Sequence, residues 1–180
     1  MLFVLIFSLL ILAYSVWRIR VLKHELQRLE LLLGQDELTG VRSRRSLLLL
    51  SRRAVKSANV TDPAQLVFVD MNDLKALNTF GGHAAGDIAL RELGQQLNRF
   101  CEEHEWVARY GGDEFVLLLR STPEEVEQRM EKLLSRLELR HRFTWAQCKL
   151  APHTDWFEQI NDLSRQVLLK KSKPHEHTKH

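Results

Sequence analysis

The sequence predicts an α/β (α+β) fold behind an apolar N-terminal helix, and three observations predict it. A short apolar run, Leu66 to Val69, ends abruptly on Asp70 and has the length and composition of a buried strand. Helical patterns come next, first with Leu74 and Leu77, then with Leu90, Leu93, Leu97 and Phe100 along one stripe. Finally "VARYGGDEFVLLL", Val107 to Leu119, sets Gly-Gly between two strand-like runs, the pattern of a tight hairpin.

In 180 residues, a hydrophobic fraction of 44% and a charged fraction of 27% describe one globular domain with an appendage. Cys101 and Cys148 stand apart without CxxC spacing, which argues against a disulfide framework or zinc site and for buried thiols in a reducing compartment. The net charge of +3 is unevenly spread: between residues 57 and 164, acids outnumber Lys and Arg by 18 to 11. A body of that sign is wrong for binding DNA or RNA, so no nucleic acid polymer is expected as a partner.

The run "MLFVLIFSLLILAYSVW" is uncharged from Met1 to Trp17 and stops at Arg18 and Arg20. It lacks both the preceding positive charge and the following small-residue cleavage site of a signal peptide, so residues 1–17 are expected to be an uncleaved transmembrane anchor. Arg18, Arg20, Lys23 and Arg28 place the rest of the chain in the cytoplasm by the positive-inside rule, giving a single-pass protein of the inner (cytoplasmic) membrane. Ile19, Leu22, Leu26, Leu29 and Leu33 recur at alternating spacings of three and four, the seam of a coiled coil over residues 18–35 that ends at Gly34. The alternative is a single amphipathic linker helix lying against its own domain. Residues 36–173 form the expected domain, and 174–180 a disordered tail.

Within the domain, "DELTGVRSRRSLLLLSRRAV" reads as a short loop entering a helix, and "TPEEVEQRMEKLLSRLEL" as a capped helix with Val126, Met130, Leu133, Leu134 and Leu137 inward. Asp87 is placed to cap the second helical pattern after Gly86. The order strand, helix, helix, hairpin lets the end of the first strand lie beside the hairpin tip, which brings Asp70 close to Asp113 and Glu114. Three converging carboxylates need a balancing cation, and all-oxygen donors suit Mg²⁺ or Mn²⁺. The backbone N–H groups of Met71, Asn72, Asp73 and Leu74 open a helix directly after Asp70 and form an anion site, with Lys75 one turn in as a point charge. Phosphates and a divalent ion together indicate a nucleoside triphosphate.

These residues also carry a resemblance. "GGDEF" is intact at Gly111 to Phe115; "DELTGVRSRR" is similar to D-x-L-T-G-L-x-N-R-R, and "DMNDLKALN…GGHAAGD" to D-x-D-x-F-K-x-x-N…G-H-x-x-G-D with the same internal spacings. Three motifs in order over Asp36 to Leu119 resemble the GGDEF domain, the diguanylate cyclase family. The resemblance implies a fold like the polymerase palm, a ferredoxin-like βαββαβ with a central, mostly antiparallel sheet flanked by helices. It also implies condensation of two GTP into cyclic di-GMP by a homodimer.

By the same resemblance Asp70, the Met71 carbonyl, Asp113 and Glu114 hold two Mg²⁺ (or Mn²⁺) ions per half-site. Asp113 doubles as general base and Lys75 neutralises charge on the transferring phosphate, making Asp113, Glu114 and Lys75 the catalytic set. Asn78 and Asp87 correspond to the guanine-binding pair: guanine presents adjacent N1–H and N2–H₂ donors that one carboxylate can accept, and adenine does not. His83 shapes the same loop.

Several positions depart from the pattern. Asn72, Leu74 and Thr79 replace an acid, an aromatic and an acid, and "INDLSRQVLLKKSKP" lacks the tyrosine and the Gly-Arg-Asn of the family's last helix. Lys170, Lys171 or Lys173 can take over its phosphate contacts, with Lys170 assigned to the phosphate-binding set. Where the family carries R-x-x-D for product inhibition, this sequence has Glu102 to Glu105, whose charge is wrong for an anionic dinucleotide.

Overall fold

A computed structural model describes residues 2–32, 34–47, 49, 50, 64–150 and 155–172. The chain divides into two compact units, Met1–Gly34 and Gln35–His180.

The first unit is one helix, α1 (Leu2–Leu32). Phe7, Leu10, Ile11, Leu12, Tyr14, Val16 and Trp17 are exposed on it, pointing to all sides rather than along one stripe. The expected membrane span is not upheld: among the described residues no helix is long and apolar enough to cross a membrane. Length is the physical reason, because an apolar run ending at Trp17 rises about 25 Å against a hydrocarbon core of about 30 Å. A single chain does not support the coiled coil either: Ile19, Leu22 and Leu26 are exposed on it, as an unpaired seam would be, and the side chains of Leu29 and Leu33 lie outside the described residues. Lys173 and the tail at 174–180 also lie outside them.

The second unit is built on four antiparallel strands, β1 (Gln65–Met71), β2 (Trp106–Gly111), β3 (Glu114–Leu119) and β4 (Phe143–Lys149), in the order β2-β3-β1-β4. Between them run α2 (Leu74–Phe100) and α3 (Pro123–Arg136), and α4 (Trp156–Ser172) closes the fold. This is the expected βαββαβ order, with the "GGDEF" hairpin as β2 and β3.

β1 is buried on both faces because it is central, and its side chains alternate between two cores. Val67, Val69 and Met71 join Phe115 and Leu117 of β3 beneath α2 and α3, where Leu90, Leu93, Leu97, Val126 and Met130 enter. Leu66 and Phe68 join Val116 and Leu118 on the opposite face, covered by Trp156, Ile160, Leu163 and Val167 of α4. Period 2 on the strands and period 3.6 on the helices therefore interlock as the sequence implies.

Two local features position the site. α2 is two helices merged across a break at Gly82, whose φ of 73° lies in the left-handed region that only glycine enters at little cost. The break comes four residues before Gly86, so Asp87 sits inside the second helix and does not cap it. α3, by contrast, has its full cap: Glu125 N–H donates to Thr122 Oγ1 at 3.3 Å, Thr122 N–H donates to Glu125 Oε2 at 3.0 Å, and Pro123 opens the first turn.

Candidate active site

Antiparallel pairing sets the site. Asp70 and Glu114 are register partners at the adjoining ends of β1 and β3, and Thr144 of β4 flanks Asp70 on its other side. Asp113 stays in the turn, and its carbonyl accepts from Met71 N–H at 3.0 Å, which fastens the hairpin tip to the end of β1. Of the three carboxylates expected together, Asp70 and Glu114 are paired across the strands, with Glu114 in the strand rather than at the tip, and Asp113 is tied to this end through its main chain. Among the described residues no three His, Cys, Asp or Glu side chains come close enough together to form a ready metal centre.

The two paired acids are held away from their ordinary behaviour. Burial is the main cause of the raised pKa of Asp70, and nearby Asp113 adds to it, while Lys171 pulls the other way. Burial also leads in raising Glu114, with the charges of Asp70 and Asp113 next and those of Arg44 and Lys171 opposing. Such a cluster favours a cation. One is already present: the Lys171 ammonium, from α4, donates to Asp70 Oδ1 and to the Met71 carbonyl at 2.9 Å. Oxygen donors from successive residues therefore converge on a cation position, and the donor chemistry fits an oxygen-liganded divalent ion.

Beside the acids lies a cavity of about 420 Å³ lined by Leu74, Lys75, Asn78, Thr79, His83 and Asp113. Asn78 Oδ1 is buried with no hydrogen-bond partner, an acceptor left for a ligand to satisfy. It packs on Gly86, where an added Cβ would collide with it, so glycine is what admits the amide. Of the predicted guanine set, Asn78 and His83 reach the cavity; Asp87 is exposed and outside its lining.

The predicted phosphate set needs correction. Met71 N–H is committed to Asp113, and Asn72 N–H donates to the Arg142 carbonyl at 2.8 Å, so neither amide is free. Asp73, at φ 59° before the first turn of α2, and Leu74 keep their amides at the helix N-terminus. Asn72 instead accepts from Thr144 Oγ1 at 2.9 Å through its side chain. Lys170 points away as well: its ammonium donates to the Trp145 carbonyl at 2.8 Å and lies over the Trp145 ring. Together with Asn72 and Arg142 it borders a different cavity of about 490 Å³.

Two groups escaped sequence reasoning. Arg109 bonds Asp36 Oδ1 through Nη1 at 3.0 Å and holds the Gly112 carbonyl through Nε and Nη2 at 3.0 and 2.7 Å. Asp36 is itself fixed by Thr39 N–H and Oγ1 at 2.9 and 2.8 Å. Burial alone would raise Asp36, but the two Thr39 bonds and Arg109 together hold it below the ordinary carboxylate value. "DELT" therefore braces the hairpin turn. The available signal was a lone arginine inside an otherwise apolar strand. Arg44, stacked 4.5 Å over Tyr110, is the second; its charge favours ionised Glu114.

Glu105, at the end of the segment matching R-x-x-D, has a structural role. It accepts from both Nη atoms of Arg129 at 2.9 and 2.7 Å and from the amides of Glu102 and Arg120. Against the cost of burial, these bonds keep its pKa low. Cys101 nearby is pushed up to about 12 by burial and by Glu105, and so is inert as a thiol.

Comparison with known proteins bears on the family and the fold. The family model "Diguanylate cyclase, GGDEF domain" matches residues 34–154. The chain is 34% identical to the diguanylate cyclase DosC of Escherichia coli over 122 residues, which is 67% of this chain and 26% of DosC. It thus spans about a quarter of that relative. In fold it is similar to a microbial GGDEF domain described in a novel interaction mode with bis-(3′,5′)-cyclic di-GMP, with a TM-score of 0.67, 25% identity, and coverage of 77% of this chain and 93% of that one. The coiled coil and GGDEF domain of DgcB from Caulobacter crescentus, in complex with c-di-GMP, gives a TM-score of 0.72 at 20% identity, covering 89% and 92%. On the motifs, the strand order and the matched family model together, the chain belongs to the GGDEF domain family of diguanylate cyclases.

Proposed function

We propose that the chain condenses two GTP into cyclic di-GMP and two pyrophosphates at the interface of a homodimer. The observation that carries this is the double position of Asp113. It lines the cavity with Lys75 and Asn78, and its backbone is bonded to the strand end that bears Asp70. A nucleotide seated in that cavity therefore has its reacting end beside the carboxylates. Asn78 Oδ1 accepts from guanine donors, which selects GTP over ATP. His83, which lines the same cavity, and Asp87, which follows the Gly86 that Asn78 packs against, are assigned to the same subsite. The amides of Asp73 and Leu74, with Lys75, receive phosphate oxygens.

Asp70, the Met71 carbonyl, Asp113 and Glu114 are the groups to hold Mg²⁺ or Mn²⁺, which when bound supplies Lewis-acid polarisation of the phosphoryl oxygens. Asp113 takes the 3′-hydroxyl proton as general base. Because the product is two-fold symmetric and each domain offers one half-site, two loaded domains face each other antiparallel. Membrane association at the cytoplasmic face belongs to the same reading. It is supported by the apolar side chains exposed all round α1 and by Arg18, Arg20 and Lys23 after them.

A second reading is a GTP-binding regulator without turnover, acting as a sensor or as a dimerising partner of another cyclase. Lys171 favours it, since its ammonium stands on Asp70 and the Met71 carbonyl. Incubating the purified chain with GTP and Mg²⁺ or Mn²⁺ and separating the nucleotides decides between them. Cyclic di-GMP is expected; GTP bound but unconverted, even in a forced dimer, selects the regulator.

A further inference from the structure

The cations around the acidic cluster do different things. Arg44 is stacked on Tyr110, and Lys75 lines the nucleotide cavity. Lys171 alone among the described lysines and arginines is bonded to Asp70, and it takes the main-chain oxygen of the next residue as well.

This placement is dictated by packing. Ile160, Leu163 and Val167 form the buried stripe of α4 against the sheet, and Lys171 continues it at the next i+4 step. The stripe delivers residue 171 to the end of β1, while Lys170, about 100° round the helix, reaches Trp145 on β4 instead. The Lys171 side chain is 27% exposed and that of Asp70 is 23%, so the pair is partly desolvated rather than a loose surface contact. An ammonium offers three donors and no acceptor, and two donors are spent on oxygens that the proposed function assigns to a divalent ion.

We infer that Lys171 is the resident counter-cation of this site, occupying Asp70 and the Met71 carbonyl and thereby setting how tightly the chain binds a divalent ion. Metal entry requires the ammonium to leave. The apparent affinity for the ion is then the intrinsic affinity reduced by the fraction of molecules in which Lys171 has vacated its two oxygens. The inference rests on the reading of Asp70 and Met71 as metal ligands, but it makes its own demand: removing the lysine must strengthen metal binding, whereas a lysine that only assists phosphate binding leaves nucleotide-free metal binding unchanged.

The test is a Mn²⁺ titration of the full chain without nucleotide, reading free Mn²⁺ by electron paramagnetic resonance. Lys171→Met keeps the apolar stem and removes the charge, with Lys171→Gln as a second variant should the first fail to fold. Wild type, either variant, Lys171→Arg and the double variant Asp70→Asn/Lys171→Met are compared. The expected result is at least tenfold tighter Mn²⁺ binding on loss of the charge, near wild-type affinity in Lys171→Arg, and loss of the gain when Asp70→Asn is added. Equal or weaker binding in the uncharged variants overturns the inference, and so does a gain that survives Asp70→Asn. Cyclic di-GMP formation is assayed separately. Its absence with the Mn²⁺ gain intact refutes the proposed reaction alone, and its presence with no gain refutes this inference alone.

Discussion

Asp70 and Glu114 stand opposite each other at the joined ends of β1 and β3, and the antiparallel register leaves them no alternative. Two carboxylates brought together in this way repel, and the fold tolerates the repulsion because Lys171 and Arg44 offset part of it. Glu114→Gln is therefore expected to abolish cyclic di-GMP synthesis yet stabilise the metal-free fold by a few tenths of a kcal/mol, a small gain because solvent screens the partly exposed pair. A raised carboxylate pKa disfavours the folded state once the group is ionised. The gain is present at neutral pH and vanishes as pH falls below the ordinary glutamate range near 4.5. Urea denaturation of both proteins at neutral pH and near pH 4 measures it.

Asp36 has the opposite sign. Its pKa is lowered, so its stabilising contribution is present above the ordinary aspartate value of 3.8 and lost as pH falls through the depressed value. Asp36→Asn is expected to cost about 1 kcal/mol at neutral pH and nothing in strong acid. Because Arg109 then loses one anchor while still holding Gly112, turnover falls along with stability. Parallel denaturation curves and a GTP turnover assay separate the two effects.

At Gly86 sterics decide. Gly86→Ala drives a Cβ into Asn78 Oδ1 and places it 3.1 Å from Leu74, so the amide must turn out of the cavity. GTP affinity is expected to fall at least tenfold. Fold stability changes little, because the better helix propensity of alanine, worth about 1 kcal/mol, opposes the clash. Calorimetric GTP titration beside thermal unfolding checks both halves.

Glu105→Gln removes the bidentate partner of Arg129 and leaves a guanidinium with its side chain 20% exposed still bonded to Phe100 and Ser121. A loss of about 2 kcal/mol is expected at neutral pH. It disappears as acid protonates Glu105 in the parent protein, because that pKa too is held below the ordinary value. Denaturation midpoints at two pH values give the answer.

The strands, the hairpin and the acids at their ends were legible because each is written in local pattern: an apolar run closing on Asp70, and Gly-Gly between two more. The start of the second half of α2 was misread at Gly86-Asp87. Gly81-Gly82 and Gly86-Asp87 compete as break signals there, and the one that breaks the helix is Gly82 with its positive φ. Lys170 and Lys171 are not separable by local pattern: adjacent helical residues point about 100° apart, and only the buried stripe of α4 tells which one meets β1. Arg109 was missed because its partner Asp36 lies 73 residues away, beyond the reach of any local pattern. The N-terminal helix was foreseen as a helix, but its expected membrane span is not upheld, since an apolar run does not by itself supply sufficient length.

The most direct measurement is product formation by the purified chain given GTP and Mn²⁺, with nucleotides separated chromatographically and Asp113→Ala run alongside. Cyclic di-GMP from the parent chain and none from Asp113→Ala is the expected result. Unconverted GTP from both, or equal product from both, contradicts the proposed reaction.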